Sequence, residues 1–251
     1  LGSMRDATDV VVASLFLRLP RSSVKHAYAF NYRAFQRVLD VPAHYELWCS
    51  AAECSQINGT RSRQGHTTAT HEYTFDSLVQ LMASRLHRSA EQLQQAAQRS
   101  VSRHCPSMEL VLIWLAKPFI VELAMRAQPQ AQSFAWVDTA FNAYRVLKRT
   151  PAPPPWRGFM PERGLAVRRL PGACHNAGRG TNRSRCIVGT FLYGGRAAWD
   201  AMLDAYAVRL RALTEAHAAP GMLCLDQDVL EDVAAARPDL FEEFTTSDGG
   251  G

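Results

Sequence analysis

The sequence predicts one α/β domain: a mixed, mainly parallel sheet flanked by helices. Three observations carry that expectation. Apolar runs rich in β-branched or aromatic residues, too short for core helices, recur at Asp9–Leu17, Ser133–Val137 and Cys186–Tyr193. Segments with helical spacing separate them, and these are long enough for the crossovers that parallel strands require. The 251 residues, 47% hydrophobic and 20% charged, suit a folded domain and exclude a disordered or fibrous chain. The domain is expected over residues 5–246, because Leu1–Met4 (LGSM) reads as a cloning remnant that displaces the native start.

In order along the chain, Asp9–Leu17 (DVVVASLFL) reads as a buried first strand. Arg18–Ser23 turns at Pro20, and Val24–Leu39 then sets Ala27, Phe30, Ala34, Phe35 and Val38 at helical spacing. His44–Cys49 (HYELWC) alternates as a second strand, completing a βαβ unit. Ser50–Glu72, polar and rich in Ser, Thr and Gly, is expected to be a long loop. Asp76–His104 is expected to be helical until Cys105-Pro106 breaks it, and Ser107 then caps a helix over Met108–Arg126. That helix is apolar nearly all round, hence buried.

Ser133–Val137 (SFAWV) is a third strand, and Thr150–Trp156 (TPAPPPW) a rigid loop inside the domain. Leu165–Arg169 reads as a strand, and Ala173–Arg185 as a loop. Cys186–Tyr193 (CIVGTFLY) is a strong strand that Gly194-Gly195 turns into a helix over Arg196–His217. Gly221–Leu225 is a short strand and Gln227–Ala236 a helix.

The net charge is +5, and 25 of the 28 basic residues are arginines, Lys25, Lys117 and Lys148 being the rest. Arginine suits two-pronged contacts to phosphate and carboxylate, although a GC-rich coding genome produces the same excess. A nucleic-acid partner is not expected: the arginines are scattered, and no stacking-aromatic motif accompanies them. The longest apolar run, Leu110–Ala116, ends at Lys117-Pro118, far short of the ~20 residues of a membrane span. Membrane attachment is therefore expected only through an N-terminal anchor removed with the native start.

The six cysteines, Cys49, Cys54, Cys105, Cys174, Cys186 and Cys224, lack the paired C-x2-C spacing of zinc ribbons. Their even count permits three disulfides, and two glycosylation sequons begin at Asn58 and Asn182. Together these favour the secretory lumen, with at least two bridged pairs. A cytoplasmic protein with buried thiols is the alternative.

The chain lacks G-x-G-x-x-G, Walker A, G-x-S-x-G and H-E-x-x-H motifs. The usual dinucleotide, nucleotide-triphosphatase, serine-hydrolase and zinc-protease readings lose their support with them. What remains is polar residues at the ends of apolar strands. Asp138 closes Ser133–Val137, where it either caps the following turn or holds a metal–diphosphate. Asp226-Gln227-Asp228 opens a helix: the acids suit its N-terminus, while Gln227 also offers a donor and an acceptor to hydroxyls. Lys117, in the buried helix, must snorkel, pair with Glu122 or serve a ligand. Arg21 follows the first strand, at the edge where a phosphate is met. Over Gly189–Gly195, a glycine inside a strand calls for a close neighbour, while Gly194-Gly195 either shares that role or only turns the strand into the helix.

In this order the pieces resemble a GT-A type glycosyltransferase, and most closely the HtrL/YibB-like family. Phe134-Ala135-Trp136-Val137-Asp138-Thr139-Ala140 resembles that family's W-[IV]-D-x-G strand end, with Ala140 standing where the family has glycine, and Lys117-Pro118-Phe119 resembles its K-P-F helix. Val10–Arg21 is similar to its opening strand followed by arginine. Ile187–Gly195 followed by Asp226-Gln227 resembles the G-x-F-x-G … D-Q pairing of sugar-nucleotide transferases, and Asp226–Leu230 the D-Q-D-x-L of retaining enzymes.

The resemblance implies a single GT-A-like domain moving sugar from a nucleotide-diphosphate donor to a glycan, glycoprotein or small hydroxyl acceptor. Arg21, Lys117 and Asp138 are then donor-binding, with Asp138 the Mn2+ ligand. Gln227, Gly194 and Gly195 meet the sugar or acceptor, and Asp226 and Asp228 are the catalytic carboxylates, one of them the base if the reaction inverts. The chain departs from the D-x-D of such enzymes, because Ala140 stands at the third position. No histidine follows His217 to complete a metal site, so Asp226 or His175 would have to substitute. An inactive luminal carbohydrate-binding module of the same fold is the second reading, and a basic nucleic-acid-binding protein the third.

Overall fold

The computed structural model describes residues 10–19, 32, 35, 36, 38, 39, 43–63, 67–102, 105–138, 161, 163–171, 185–215 and 226–243. Seven strands form one sheet: β1 (Val10–Phe16), β2 (His44–Cys49), β3 (Thr68–Glu72), β4 (Ser133–Val137), β5 (Leu165–Pro171), β6 (Arg185–Gly195) and β7 (Phe241–Glu243). Their order is β3-β2-β1-β4-β6-β5-β7. β1, β2, β3 and β4 run parallel; β6 is antiparallel to both β4 and β5, and β7 is parallel to β5. The expected mixed, mainly parallel sheet is therefore present.

β1 is central because every one of its residues is buried, as a parallel strand covered on both faces requires. Its alternation feeds two cores. Val11, Ala13 and Leu15 face α2 (Phe75–Leu86), α3 (Ala90–Arg99), α4 (Met108–Ala127), α5 (Arg196–Glu215) and α6 (Asp226–Ala236). Val10, Val12 and Phe16 face α1 (Ala51–Arg63) and the helical residues Tyr32, Phe35, Val38 and Leu39. These last lie within the expected Val24–Leu39 helix.

The expected loop Ser50–Glu72 is instead α1 followed by edge strand β3. Helix α1 buries Cys54, Ile57 and Arg61, a stripe at positions i, i+3 and i+7 that Arg61 disguises as polar. The Arg61 guanidinium donates to the carbonyls of Leu39, Ala43 and Thr67 at 2.5, 2.7 and 3.2 Å and lies 4.3 Å over the Tyr45 ring. The single helix expected over Asp76–His104 is two, α2 and α3. His87 closes α2 in the left-handed region (φ 51°), and a Ser89/Gln92 capping box opens α3.

Helix α4 follows its Ser107 cap as expected and buries residues on every side. Among the described residues no helix is long and apolar enough to cross a membrane. Gly194 and Gly195 prove to be the last residues of β6, with α5 beginning directly at Arg196. Cys49 and Cys54 are disulfide-bonded across the β2–α1 junction. Cys105 is likewise disulfide-bonded, its partner's side chain lying outside the described residues. The Thr150–Trp156 loop, the Ala173–Arg185 loop apart from Arg185, and the Gly221–Leu225 strand also lie outside them.

Candidate functional site

The sheet order reverses between β1 and β4. From β1 the chain steps to β2 and β3, then returns to the other side of β1 for β4. In open α/β sheets, ligands bind beyond the carboxyl ends of the strands at such a switch point. The reversal also joins the two strands directly: the Ser14 hydroxyl donates to the Val137 carbonyl at 2.7 Å.

Asp138 stands at that carboxyl end of β4. Its N–H donates to the Thr190 carbonyl at 2.9 Å, which carries the β4–β6 ladder one step past the strand. Its carboxylate meets Lys117 from α4, Nζ to Oδ2 2.9 Å. The same ammonium reaches Asp226 Oδ2, at the first residue of α6, at 3.2 Å, and donates to the Gly189 carbonyl on β6 at 3.3 Å. Two helices, α4 and α6, and two strands, β4 and β6, therefore converge on one ammonium. The side chains of Lys117 and Asp226 are 7% and 3% exposed, while Asp138 keeps 16%, so Asp138 is the face of the cluster toward solvent.

Burial and charge oppose each other here. Burial drives the Asp226 carboxyl up to about 6, although the Lys117 ammonium pulls it down. Burial alone would lower Lys117; the charges of Asp226 and Asp138 outweigh it and hold the ammonium above its usual range. Tyr206, buried against the helices, is pushed well above the usual phenol range by burial and then by the Asp226 charge. Its hydroxyl donates to the Leu115 carbonyl on α4 at 3.1 Å.

Gly189 explains how Asp226 fits. A Cβ at 189 would lie 1.8 Å from Asp226 Oδ2. Behind it, Glu231 fastens α6 to the sheet by accepting from Arg169 Nη1 at 2.6 and 2.7 Å and from the Ile187 N–H. Sequence reasoning singled out neither Glu231, Arg169 nor Tyr206. Asp226 and Glu231 are five apart and do not share a helix face, so no spacing in the sequence links them.

Of the expected site residues, Lys117, Asp138 and Asp226 come together. Lys117 does not pair with Glu122, which instead meets Arg85 at 2.9 Å and Arg126 at 2.5 Å. Gln227 and Asp228 sit half-buried on the first turn of α6, beside Asp226. Gly194 and Gly195 are elsewhere: they pair with Phe134 and Ser133, about 10 and 13 Å along β4 from its carboxyl end. A Cβ at Gly194 would strike Leu165 Cδ2 at 2.6 Å, so strand packing explains that glycine. Arg21 and His175 lie outside the described residues.

No protein-family model matches the sequence, and no curated protein sequence matches it. Solved structures do. The apo crystal structure of mouse xyloside xylosyltransferase 1 superimposes with a TM-score of 0.51 at 10% identity, covering 93% of this chain and 85% of that one. A glycosyltransferase involved in glycosylation of the major capsid of PBCV-1 matches at 11% identity and a TM-score of 0.38, covering 94% and 81%. At such identities the first likeness shows the fold: this chain has a GT-A type glycosyltransferase fold.

Proposed function

We propose that this protein transfers a sugar from a nucleotide-diphosphate donor to a hydroxyl acceptor. The observation that carries the reading is the position of Asp138. It is the accessible carboxylate of a buried ionic cluster, at the switch point of a GT-A type sheet. The fold alone supports glycosyl transfer in general; the cluster supplies what a donor site needs. Asp138 is held by Lys117 in the ligand-free protein, and its carboxylate accepts hydrogen bonds from donor hydroxyls in the complex. Arginine side chains, abundant in this chain, are the groups that neutralise the diphosphate.

In the reaction, the bond from the sugar's anomeric carbon to the diphosphate oxygen breaks, and that oxygen leaves with the electron pair. The anomeric carbon bonds to the acceptor oxygen, whose proton passes to a base. Asp226 is too deeply buried and too fully engaged with Lys117 to be that base; it is a positioning residue. Asp228, half-buried on the same turn, is the carboxylate assigned to take that proton, and Gln227 beside it offers a donor and an acceptor to the acceptor hydroxyls. The bridged cysteines fit a protein working in the secretory lumen, where glycans and glycoproteins are its acceptors.

Release of nucleoside diphosphate from a panel of UDP- and GDP-sugars tests the reading. The wild type should release one of them. Asp138→Asn should lose about 10²-fold or more of that rate, the scale of removing one oriented charge from an active site. Sugar binding without any turnover would instead favour an inactive carbohydrate-binding module, the reading that Ala140 in place of the second Asp supports.

A further inference from the structure

The Lys117 ammonium lies between two carboxylates, 2.9 Å from Asp138 Oδ2 and 3.2 Å from Asp226 Oδ2, with the Gly189 carbonyl at 3.3 Å. An ammonium has three N–H groups, and three oxygens surround this one. A divalent cation bridging Asp138 and Asp226 would need the same space. The lysine is tethered there by a helix buried on every side, so it does not swing clear easily.

The remaining donors do not fit the Mn2+ that the D-x-D of the resembled fold implies. Such a cation takes about six oxygen ligands. The third position of the motif is Ala140, which has no donor atom in its side chain. Among the described residues, no three His, Cys, Asp or Glu side chains are arranged to hold a metal.

We propose that Lys117 is a built-in cation, and that nucleotide-diphosphate donors bind this chain without a divalent metal. The inference rests on the donor-site reading of Asp138. A phosphate oxygen reaches the ammonium by taking the place of Asp138, the most exposed of its three partners. The displaced carboxylate then accepts from a donor hydroxyl. An ammonium supplies one positive charge where a divalent cation supplies two, so arginine must meet the rest of the diphosphate charge.

Two measurements on the full chain test this. The first is a nucleotide-free MnCl2 titration followed by electron paramagnetic resonance. The wild type should bind no Mn2+ through Asp138. Lys117→Ala vacates the space between two carboxylates and a carbonyl, and should bind Mn2+ at least about tenfold more tightly than any residual binding by the wild type. Adding Asp138→Asn to that variant should abolish the gain. The second is calorimetry with UDP and GDP, in EDTA and in MnCl2. The expected result is a Kd for at least one nucleotide that agrees within about twofold between the buffers.

Mn2+ bound to the wild type and lost in Asp138→Asn overturns the inference, even if Lys117→Ala fails to fold. So does nucleotide binding that weakens by about tenfold or more in EDTA. Binding of neither nucleotide in either buffer overturns the donor-site reading, and this inference with it. Binding that requires Mn2+ overturns this inference alone.

Discussion

Gly189 should resist replacement because Asp226 occupies the space where its side chain would grow. In Gly189→Ala the new Cβ would lie 1.8 Å from Asp226 Oδ2 and 2.7 Å from Cγ, against the 3.4 Å at which ordinary contact begins. The carboxylate must therefore retreat by about 1.6 Å. A retreat directly away from Lys117 stretches their 3.2 Å contact to about 4.8 Å. At an effective dielectric of about 20, the attraction falls from about 5 to about 3.5 kcal/mol, a loss of roughly 2 kcal/mol. Strain from overpacking adds about 1–3 kcal/mol. Urea unfolding of Gly189→Ala, Asp226→Ala and the double variant measures the sum. With the carboxylate already removed, Gly189→Ala should cost under about 1 kcal/mol, which makes the two sites strongly coupled. An equal cost in both backgrounds would refute the argument, because something other than Asp226 would then be demanding the glycine.

Asp226 also gives a pH signature. Its folded carboxyl sits at about 6 against an ordinary 3.8, so the folded state holds this proton more tightly. The stability it contributes is complete below 3.8 and is lost as pH rises through 6, about 3 kcal/mol in all. Asp226→Asn should abolish that part of the slope of unfolding free energy between pH 4 and 7; an unchanged slope excludes Asp226 as its source. Glu46 makes the opposite case. It is buried, which pushes its carboxyl up, yet hydrogen bonds with His44 (2.8 Å), His71 (2.6 Å) and Gln128 (2.6 Å) outweigh burial and leave it below its usual range. Its contribution is present above the unfolded carboxyl value and lost as pH falls through the folded one. Glu46→Ala should cost about 3 kcal/mol in urea at neutral pH, and a cost under about 1 kcal/mol would show the three bonds to be dispensable. Cys49→Ala/Cys54→Ala should lower stability by about 2 kcal/mol, the size expected for so short a closed loop. Equal melting temperatures for that variant and the wild type under non-reducing conditions would argue that the bridge adds nothing.

Strands were legible wherever burial on both faces forces a run of apolar, β-branched residues. β1 and β4 lie within a residue of where such runs place them, and β2 lies where the alternation of HYELWC places it. The same logic failed over Ser50–Glu72, because the residues that anchor that segment are polar. Arg61 is buried through carbonyls contributed by Leu39, Ala43 and Thr67, from segments before and after it, and no periodicity records them. β3 escaped notice because it is an edge strand of half-exposed Thr, Ala and His. The break between α2 and α3 was visible in principle, since Ser89-x-x-Gln92 is a capping box. Strong helix formers on either side concealed it.

The site was legible as separate residues and illegible as an arrangement. Asp138 and Lys117 each signalled the need for a partner: one ends a buried strand, the other is a charge in a buried helix. The local partner for Lys117 was Glu122, but residues five apart on a helix point about 140° away from one another. The actual partners lie 21 and 109 positions along the chain, at distances only the sheet order sets. That arrangement also changes what Asp226 does. At a helix N-terminus beside a strand end, a carboxylate looks equally suited to capping, ligand binding or proton transfer. Once Lys117 and the bare Cα of Gly189 enclose it, proton exchange with an acceptor is the role it serves worst. Its charge is instead directed inward, keeping a buried ammonium charged and Asp138 oriented toward the cleft. Asp226→Asn should therefore disturb binding at Asp138 more than any proton-transfer step. The split is measurable: a raised KM for the nucleotide sugar with a preserved pH profile of kcat supports positioning, and an altered pH profile with an unchanged KM would restore Asp226 as the base.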